Sequence, residues 1–431
     1  MNRWLGCLRW IMVLVLGSVV TTTALAADDR EALLRSRIAE VVAVMRGTRA
    51  PADTFDARFL AEVPPDKLRA LSAQLVDQGG ALEDWTDFRR EQAGSATFTL
   101  RFAHGTAPAR IELNPAAPGL VSGFRIFGLT PAGDTLDRLE AEFAALPGKA
   151  GFAVYRLGDG APALVGGRNA DKALAVGSSF KLYVLAALVR QVKDGARRWD
   201  DVVPVSGKSF PGGTVHTLPD GAPVTLHTLA SLMIAISDNS ATDMLVRLVG
   251  QEALAREVRL SGHARPDALA PMLTTAQLFA LKRGGAPMAA RYAKASPAER
   301  ARLLAALDLS GVAQADPGEV FGHGPVAIDS VEWFASSADL AGVMDDLRRF
   351  DSREALDILA VNPAMDGATG RAWSYVGYKG GSEDGVISMT WLLRGRDGAW
   401  KVVTGSWNDA RAPVDNQRLE MLMRRLAKVA G

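Results

Sequence analysis

The 431-residue sequence contains one cysteine, Cys7, and only five histidines. A single thiol excludes a disulfide framework within the chain and any metal site built from several thiolates. The histidines show no spacing typical of metal ligands. An excess of charge of one sign is also missing, because 49 basic side chains stand against 48 acidic ones. Since a net charge of +1 gives no general attraction for nucleic acid, we expect no nucleic-acid partner. We also expect no metal and no other cofactor.

Long apolar runs are absent beyond the N-terminal segment, residues 1–26, which has the features of a signal peptide. Arg3 and Arg9 lie before or at the edge of an apolar run from Trp10 to Val20, and Ala24–Ala26 forms a small-residue cleavage site. A single membrane anchor is the alternative interpretation. Cleavage would remove the only cysteine. We therefore expect an exported chain, periplasmic or extracellular, that contacts no membrane beyond its signal peptide.

The composition, 48% hydrophobic and 23% charged, is that of a folded protein, and the length suggests two domains. In residues 28–129, apolar residues at helical spacing over 29–45 and 65–78 precede alternating segments between 96 and 127. Helices packed on an antiparallel sheet predict a small α+β domain. This order resembles the steroid-isomerase or cystatin-like superfold, which hosts many unrelated functions. We expect residues 130–147 to form a linker with a short helix.

Three polar residues of this first domain, His104, Glu83 and Asp84, are candidates for lining a pocket. The alternative is that they are solvated turn residues.

Residues 148–431 show a different order of elements. A hairpin over 151–166 precedes a long helical block from 178 to about 350, and three further strands lie between 373 and 406 before a terminal amphipathic helix. Strands at both ends of a helical block can pair into one antiparallel sheet. We therefore predict a second α+β domain with a helical subdomain.

The first chemical motif is Ser178-Ser179-Phe180-Lys181, which opens a strongly apolar helix. Backbone N–H groups at a helix start favour a developing negative charge, and Lys181 lies one turn from the Ser178 hydroxyl. A lysine in a desolvated site can act as a general base when its pKa falls. The alternative is that Ser178 is a plain N-cap.

Two more motifs follow, Ser237-Asp238-Asn239 between two apolar helices and Lys379-Gly380-Gly381-Ser382 on a strand. Ser237 could relay a proton, and Asn239 could donate to a substrate amide carbonyl. Gly381 would let a substrate approach the strand, and Lys379 would add a cation. The alternatives are a capping turn for the first motif and a bulged strand end with a solvated lysine for the second.

Together the three motifs resemble those of the serine penicillin-binding proteins and class A β-lactamases over about residues 150–431. Lys-Gly-Gly stands where that family usually has Lys-Thr-Gly. The resemblance implies a five-stranded antiparallel sheet with a helical subdomain, Ser178 as acylated nucleophile and Lys181 as its activator. It further implies a proton relay through Ser237 and Lys379, a substrate contact from Asn239, and an oxyanion hole from the backbone N–H groups of Ser178 and Ser382.

One loop departs from the class A pattern. That class carries a glutamate after the Ser-Asp-Asn region that drives hydrolysis of the acyl-enzyme, whereas residues 260–275 contain only one carboxylate, Asp267. The two-domain plan is more similar to the clavulanate-pathway β-lactamase-like proteins, which are associated with esterase-like activity. We expect a secreted serine hydrolase that is acylated by a small-molecule β-lactam, ester or amide and is deacylated slowly. A DD-peptidase-like cell-wall enzyme and a catalytically weak ligand-binding protein remain alternatives.

Overall fold

A computed structural model describes residues 27–92, 94–117, 119–365 and 367–431. The predicted signal peptide, with Cys7, lies outside the described residues. The chain divides into a first unit that extends to Gly133 and a second unit, Asp134–Gly431.

The helices and strands are numbered in chain order. The helices are α1 (Ala27–Met45), α2 (Ala57–Glu62), α3 (Pro65–Gly79), α4 (Leu136–Ala144), α5 (Lys181–Lys193), α6 (Leu226–Ala235), α7 (Asn239–Val249), α8 (Gln251–Leu260), α9 (Thr275–Arg283), α10 (Gly285–Lys294), α11 (Pro297–Ala305), α12 (Gly318–Phe321), α13 (Ser337–Arg349), α14 (Arg353–Ala360), α15 (Gly367–Gly370) and α16 (Asn416–Ala430). The strands are β1 (Leu82–Gln92), β2 (Ser95–Phe102), β3 (Gly105–Leu113), β4 (Val121–Ile126), β5 (Thr130–Pro131), β6 (Lys149–Leu157), β7 (Ala163–Arg168), β8 (Leu174–Ala175), β9 (Val202–Pro204), β10 (Pro223–Thr225), β11 (Phe334–Ala335), β12 (Trp373–Glu383), β13 (Val386–Gly395) and β14 (Trp400–Asn408). None of these described helices combines the length and hydropathy needed to span a membrane.

The first unit is an antiparallel sheet packed with helices, in the order β1-β2-β3-β4 with β5 beside β3. Alternate residues of β2, such as Phe98 and Leu100, are buried against apolar residues of α1, such as Ile38 and Val41. The predicted α+β arrangement is confirmed, whereas the likeness to a particular superfold stays a prediction.

The sequence pattern missed β1, because most of its side chains are charged or polar. Glu83 and Asp84 lie exposed on this strand, so neither is a turn residue. Glu83 forms a cross-strand ion pair with Arg101 of β2 (3.3 Å), which explains a carboxylate at this position without a pocket.

The second unit contains the predicted five-stranded antiparallel sheet, in the order β12-β13-β14-β6-β7. One face packs against α4 and α16 through residues such as Trp391 and Leu422. The other face packs against the helical block, in which α5 is buried without interruption from Lys181 to Val189. Strand β12 forms one edge of the sheet, with Lys379 opposite Thr390 of β13.

The predicted linker over residues 130–147 is wrong, because α4 is an integral helix of the second unit. Phe143 of α4 is buried within the core on the α16 face of the sheet. The guanidinium of Arg425 in α16, which is only 2% exposed, pairs with Asp134 (2.7 Å) and Glu142 (2.6 Å). These contacts with distant residues hold a segment whose short helical pattern alone suggested only a connection.

Candidate active site

A cleft of about 510 Å³ lies along β12 in the second unit. Six of the seven residues predicted to react with or bind the substrate line it: Ser178, Ser237, Asn239, Lys379, Gly381 and Ser382. The seventh, Lys181, is wholly buried and hydrogen-bonds to lining residues. The fold therefore brings together all three motifs, which lie up to about 200 residues apart in the sequence.

Ser178 lies in a 3₁₀ turn, Gly177–Phe180, that leads directly into α5. Its side chain caps neither segment, so the N-cap interpretation is wrong. The neighbouring Ser179 is buried, with its hydroxyl 3.2 Å from Ser388 Oγ. Ser178 instead lines the cleft, and its hydroxyl has no hydrogen-bond partner in the described part of the chain. A free hydroxyl at this place is available to a substrate.

Glycines allow β12 to lie directly against the turn that carries Ser178. A Cβ at position 381 would overlap the backbone of Val176 and Ser178. A Cβ at Gly177, where φ is +48°, would lie 3.2 Å from the backbone nitrogen of Ser382. The backbone nitrogens of Ser178 and Ser382 are therefore carried by two segments in close contact at the cleft, as an oxyanion hole requires.

The Lys181 ammonium lies beneath the cleft among neutral oxygen atoms. Its Nζ donates hydrogen bonds to the Ser237 carbonyl (2.7 Å), the Ser237 hydroxyl (3.0 Å) and the Asn239 amide oxygen (3.1 Å). Burial lowers the pKa of Lys181 to about 7, against the opposing attraction of Asp243 and Asp238. Lys181 can therefore lose its proton near neutral pH and act as a base.

Ser237 forms the corner between α6 and α7 in a left-handed backbone conformation, with φ of +59°. This conformation costs a residue other than glycine about 1–2 kcal/mol. It places the Ser237 hydroxyl between two lysines, since Lys379 Nζ lies 3.2 Å from the same oxygen that Lys181 contacts. A hydroxyl shared by two amines is suited to passing a proton.

Lys379 is buried, not solvated, so the alternative of a solvated strand-end lysine is wrong. Its Nζ also donates to the carbonyl of Gly380. Burial, together with the charge of Lys181, holds the pKa of Lys379 well below its usual value. Two buried amines in one site repel each other when both are charged, which favours the loss of a proton from one of them.

Asp238 connects the Ser237 corner to a glycine-rich loop. One carboxylate oxygen caps α7 by accepting from the Ala241 N–H (2.9 Å), as the capping interpretation predicted. The other accepts from the N–H groups of Thr214 (2.6 Å) and Val215 (2.7 Å), and a Cβ at Gly213 would overlap the carboxyl group. Asp238 thereby holds the loop as a wall of the cleft, a role that the adjacent glycines 212 and 213 could have signalled.

The wall of the cleft near α16 was not predicted. It contains Asn362, Tyr378, Asn416 and Glu420, which belong to no motif. Among the described residues that line the cleft, Glu420 carries the only carboxylate and Lys379 the only amine.

The one carboxylate of the loop over residues 260–275 lies elsewhere. Asp267 is exposed in a 3₁₀ turn, Pro266–Leu269, that does not line the cleft. Within the described ranges, no group of three or more His, Cys, Asp or Glu side chains is arranged to hold a metal ion.

Residues 134–316 match the sequence model of the β-lactamase enzyme family. A search of curated proteins gave no match. Similar solved structures include a mutant of PBP-A as an acyl-enzyme complex with penicillin G (16% identity, TM-score 0.47, covering 68% of this chain and 93% of that one). The β-lactamase from Sphaerobacter thermophilus (22%, 0.48, 68% and 94%) and the ancestral class A β-lactamase GNCA (19%, 0.46, 68% and 96%) are also similar.

The family match and the three assembled motifs define a class for the second unit. It is a β-lactamase-like domain of the serine hydrolase superfamily, similar to class A β-lactamases and penicillin-binding proteins. The resemblance predicted from the motifs is confirmed.

Proposed function

We propose that the protein is an exported serine hydrolase that forms an acyl-enzyme at Ser178 with a small β-lactam, ester or amide. The observation that carries this proposal is the free Ser178 hydroxyl in the cleft above a buried Lys181 whose pKa is about 7. The linked hydroxyl of Ser237 and the second amine of Lys379 extend this pair into a relay.

In the proposed reaction, Ser178 Oγ attacks the substrate carbonyl carbon while its proton passes to neutral Lys181. The backbone N–H groups of Ser178 and Ser382 stabilise the negative charge on the carbonyl oxygen. As the bond to the leaving nitrogen or oxygen breaks, the Ser237 hydroxyl gives that atom a proton and recovers one from protonated Lys181 or Lys379. The product is an ester of Ser178 and a neutral leaving group.

We further propose that hydrolysis of this ester is slow, because the cleft offers little to activate water. Asp267 lies outside the cleft, and Glu420 is paired with Arg424 (3.4 Å). The remaining candidate bases are the two buried amines, Lys181 and Lys379, which already serve acylation as base and relay.

Labelling tests the nucleophile. A fluorescent penicillin and an activated ester probe should label the wild-type protein and not the Ser178→Ala variant. Ser179→Ala is the matched control, since this adjacent hydroxyl is buried against Ser388, and it should still be labelled. Equal labelling of wild type and Ser178→Ala would reject the acyl-enzyme, and absence of any adduct across a broad panel would favour the ligand-binding alternative.

Kinetics test the slow step. Nitrocefin should give a burst equal to the enzyme concentration and then slow turnover. Steady turnover on the order of hundreds per second would contradict slow deacylation. Release of terminal D-Ala from a muropeptide would instead identify a DD-peptidase.

A further inference from the structure

Tyr378 and Gly380 lie on the same face of β12, because alternate residues of a strand point to one side. The Tyr378 hydroxyl occupies the space in which any side chain at position 380 would begin. A Cβ at Gly380 would overlap the hydroxyl oxygen and would lie 2.8 Å from Tyr378 Cζ. Position 380 is the one at which Lys-Gly-Gly differs from the Lys-Thr-Gly of the similar family. A tyrosine hydroxyl thus stands beside the strand where a threonine hydroxyl would otherwise be carried.

The Tyr378 ring is fixed by its neighbours. It packs against Trp391, its partner on β13, with 5.3 Å between ring centroids. The indole N–H of Trp391 donates in turn to the Pro363 carbonyl (2.8 Å). The position of the phenol is therefore set by the sheet and does not depend on a bound molecule.

The phenol is a hydrogen-bond donor without a partner in the part of the chain that the structure describes, and Tyr378 lines the same cleft as Ser178. Burial, with a smaller contribution from Glu420, raises the pKa of Tyr378, so the hydroxyl keeps its proton at neutral pH. A fixed, protonated and unpaired donor in a cleft gains most by bonding to an acceptor of the ligand.

The charges of the cleft indicate which acceptor fits. Glu420 shares this wall with Tyr378, and its charge is only partly offset by the exposed ion pair with Arg424 (3.4 Å), so a second carboxylate beside it is disfavoured. Lys379, the one amine among the described lining residues, is hydrogen-bonded to Ser237 and Gly380. The wall therefore suits a neutral oxygen, such as an amide or ester carbonyl, better than a carboxylate.

We propose that Tyr378 is a substrate-binding residue whose hydroxyl donates to an uncharged carbonyl oxygen of the substrate, in place of a side chain at position 380. This inference rests on the proposed acylation of Ser178. It assigns the enzyme a preference for neutral, carbonyl-bearing esters or amides over substrates with a free carboxylate near the reacting bond.

Two pairs of 4-nitrophenyl esters test the assignment. N-acetylglycine and pentanoic acid esters match in length and differ in a carbonyl acceptor, whereas the monomethyl and free-acid forms of an adipate ester differ in charge. Wild type should prefer the first member of each pair in kcat/KM. The ratio used below is kcat/KM for the N-acetylglycine ester divided by kcat/KM for the pentanoic acid ester. In Tyr378→Phe this ratio should fall about 3- to 10-fold, chiefly through KM, as for loss of one neutral hydrogen bond.

The control is Tyr375→Phe on the same strand, which removes a hydroxyl bonded to the Leu356 carbonyl (2.7 Å) outside the cleft and should leave the ratio unchanged. Gly380→Ala, by displacing the phenol, should lower the ratio as Tyr378→Phe does. Tyr378→Ala combined with Gly380→Thr, which removes the ring as well as the hydroxyl from the space beside position 380, should recover part of the ratio lost in Tyr378→Ala, which a merely structural role of Tyr378 would not produce.

The outcomes separate this inference from the proposed function. Hydrolysis by wild type with a ratio unchanged in Tyr378→Phe, or lowered equally in Tyr375→Phe, would overturn the role of Tyr378 alone. A wild-type preference for the free-acid adipate ester would overturn the assignment of a neutral substrate. Failure of wild type to react with all four esters and with the labelling probes would overturn the proposed function and this inference together.

Discussion

Two lysines of the second unit, Lys181 and Lys282, are both fully buried yet have opposite acid–base properties. Lys181 contacts a hydroxyl, a carbonyl and an amide oxygen, and burial lowers its pKa to about 7. Burial also disfavours the charge of Lys282, but contacts with the carboxylates of Glu332 (2.6 Å) and Glu383 outweigh it and raise the pKa. The chemical type of the neighbouring oxygens, more than burial, therefore decides which lysine can act as a base and which stays a cation.

The two lysines are linked to neighbouring residues of β12. Lys379, which shares the Ser237 hydroxyl with Lys181, lies four residues before Glu383, which binds Lys282. Ser382 of the candidate oxyanion hole lies between them. The ion cluster of Lys282, Glu332 and Glu383 therefore ties the end of the active-site strand to α9, while the neutral surroundings of Lys181 keep an amine available for proton transfer.

Lys181→Arg should produce the largest effect. Arginine keeps a positive charge but does not release its proton at any usable pH, so acylation of Ser178 should slow by about 10²- to 10⁴-fold. Stopped-flow acylation with a fluorescent penicillin measures this rate. Lys193→Arg, on an exposed residue at the other end of α5, is the control and should acylate like wild type. Near-normal acylation of Lys181→Arg would exclude Lys181 as the base.

Lys282→Met should have the next largest effect, on stability. Removing the ammonium leaves Glu332 and Glu383 buried together without a cation, which costs about 3–5 kcal/mol when one partner of a buried ion pair is lost. Urea denaturation followed by circular dichroism measures the free energy of unfolding. Lys181→Met is the comparison and should lose much less, because it leaves no carboxylate in direct contact with the removed ammonium. Equal losses would contradict the distinction between the two lysines.

The pH dependence of acylation should reflect Lys181. Since the neutral amine is the base and its pKa is about 7, the acylation rate should rise about tenfold per pH unit below 7 and level off above it. Stability should follow the same group: the unfolded lysine holds its proton up to about 10.5, so its contribution improves as the pH rises from about 7 to 10.5. Lys181→Met should lack this rise in the free energy of unfolding. A rate that is flat between pH 5 and 8 would contradict the assignment.

The elements that local sequence patterns predict are those whose burial is regular. Alternating strands such as β13 and the continuous apolar run of α5 follow from side-chain periodicity alone, and the three motifs lie at the starts, corners and edges of such elements. The local pattern does not predict β1 as a strand, because its side chains are mostly charged or polar and its position is set by pairing with β2. The local pattern predicts α4 only as a short helix in a linker, because the ion pairs that fix this segment are formed with Arg425, almost 300 residues away.

The same reason limits what could be predicted of the site. Ser178, Lys181 and Ser237 have residue types and spacings that point to chemistry, whereas Tyr378 and Glu420 become neighbours only when β12 packs beside α16. Nothing in the local sequence of either residue indicates a cleft. Motifs thus predicted the residues that are proposed to react, and the tertiary fold was required to find the wall that is proposed to bind the substrate.

Glu383→Gln should have the smallest effect on stability. It tests which of the two carboxylates is the main counter-ion of Lys282. Burial and the neighbouring Glu332 carboxylate raise the pKa of Glu383, so its charge contributes less than that of Glu332, which still binds Lys282 in the variant. The free energy of unfolding at pH 7 should change by less than about 1 kcal/mol. Because a group with a raised pKa gives stability that is lost as the pH rises from its unfolded value of about 4.5 through its folded value, the variant should lose less stability than wild type over this rise. Glu332→Gln, which removes the carboxylate 2.6 Å from Lys282, should be clearly more destabilising at pH 7; the reverse order would show that Glu383, not Glu332, is the main counter-ion of Lys282.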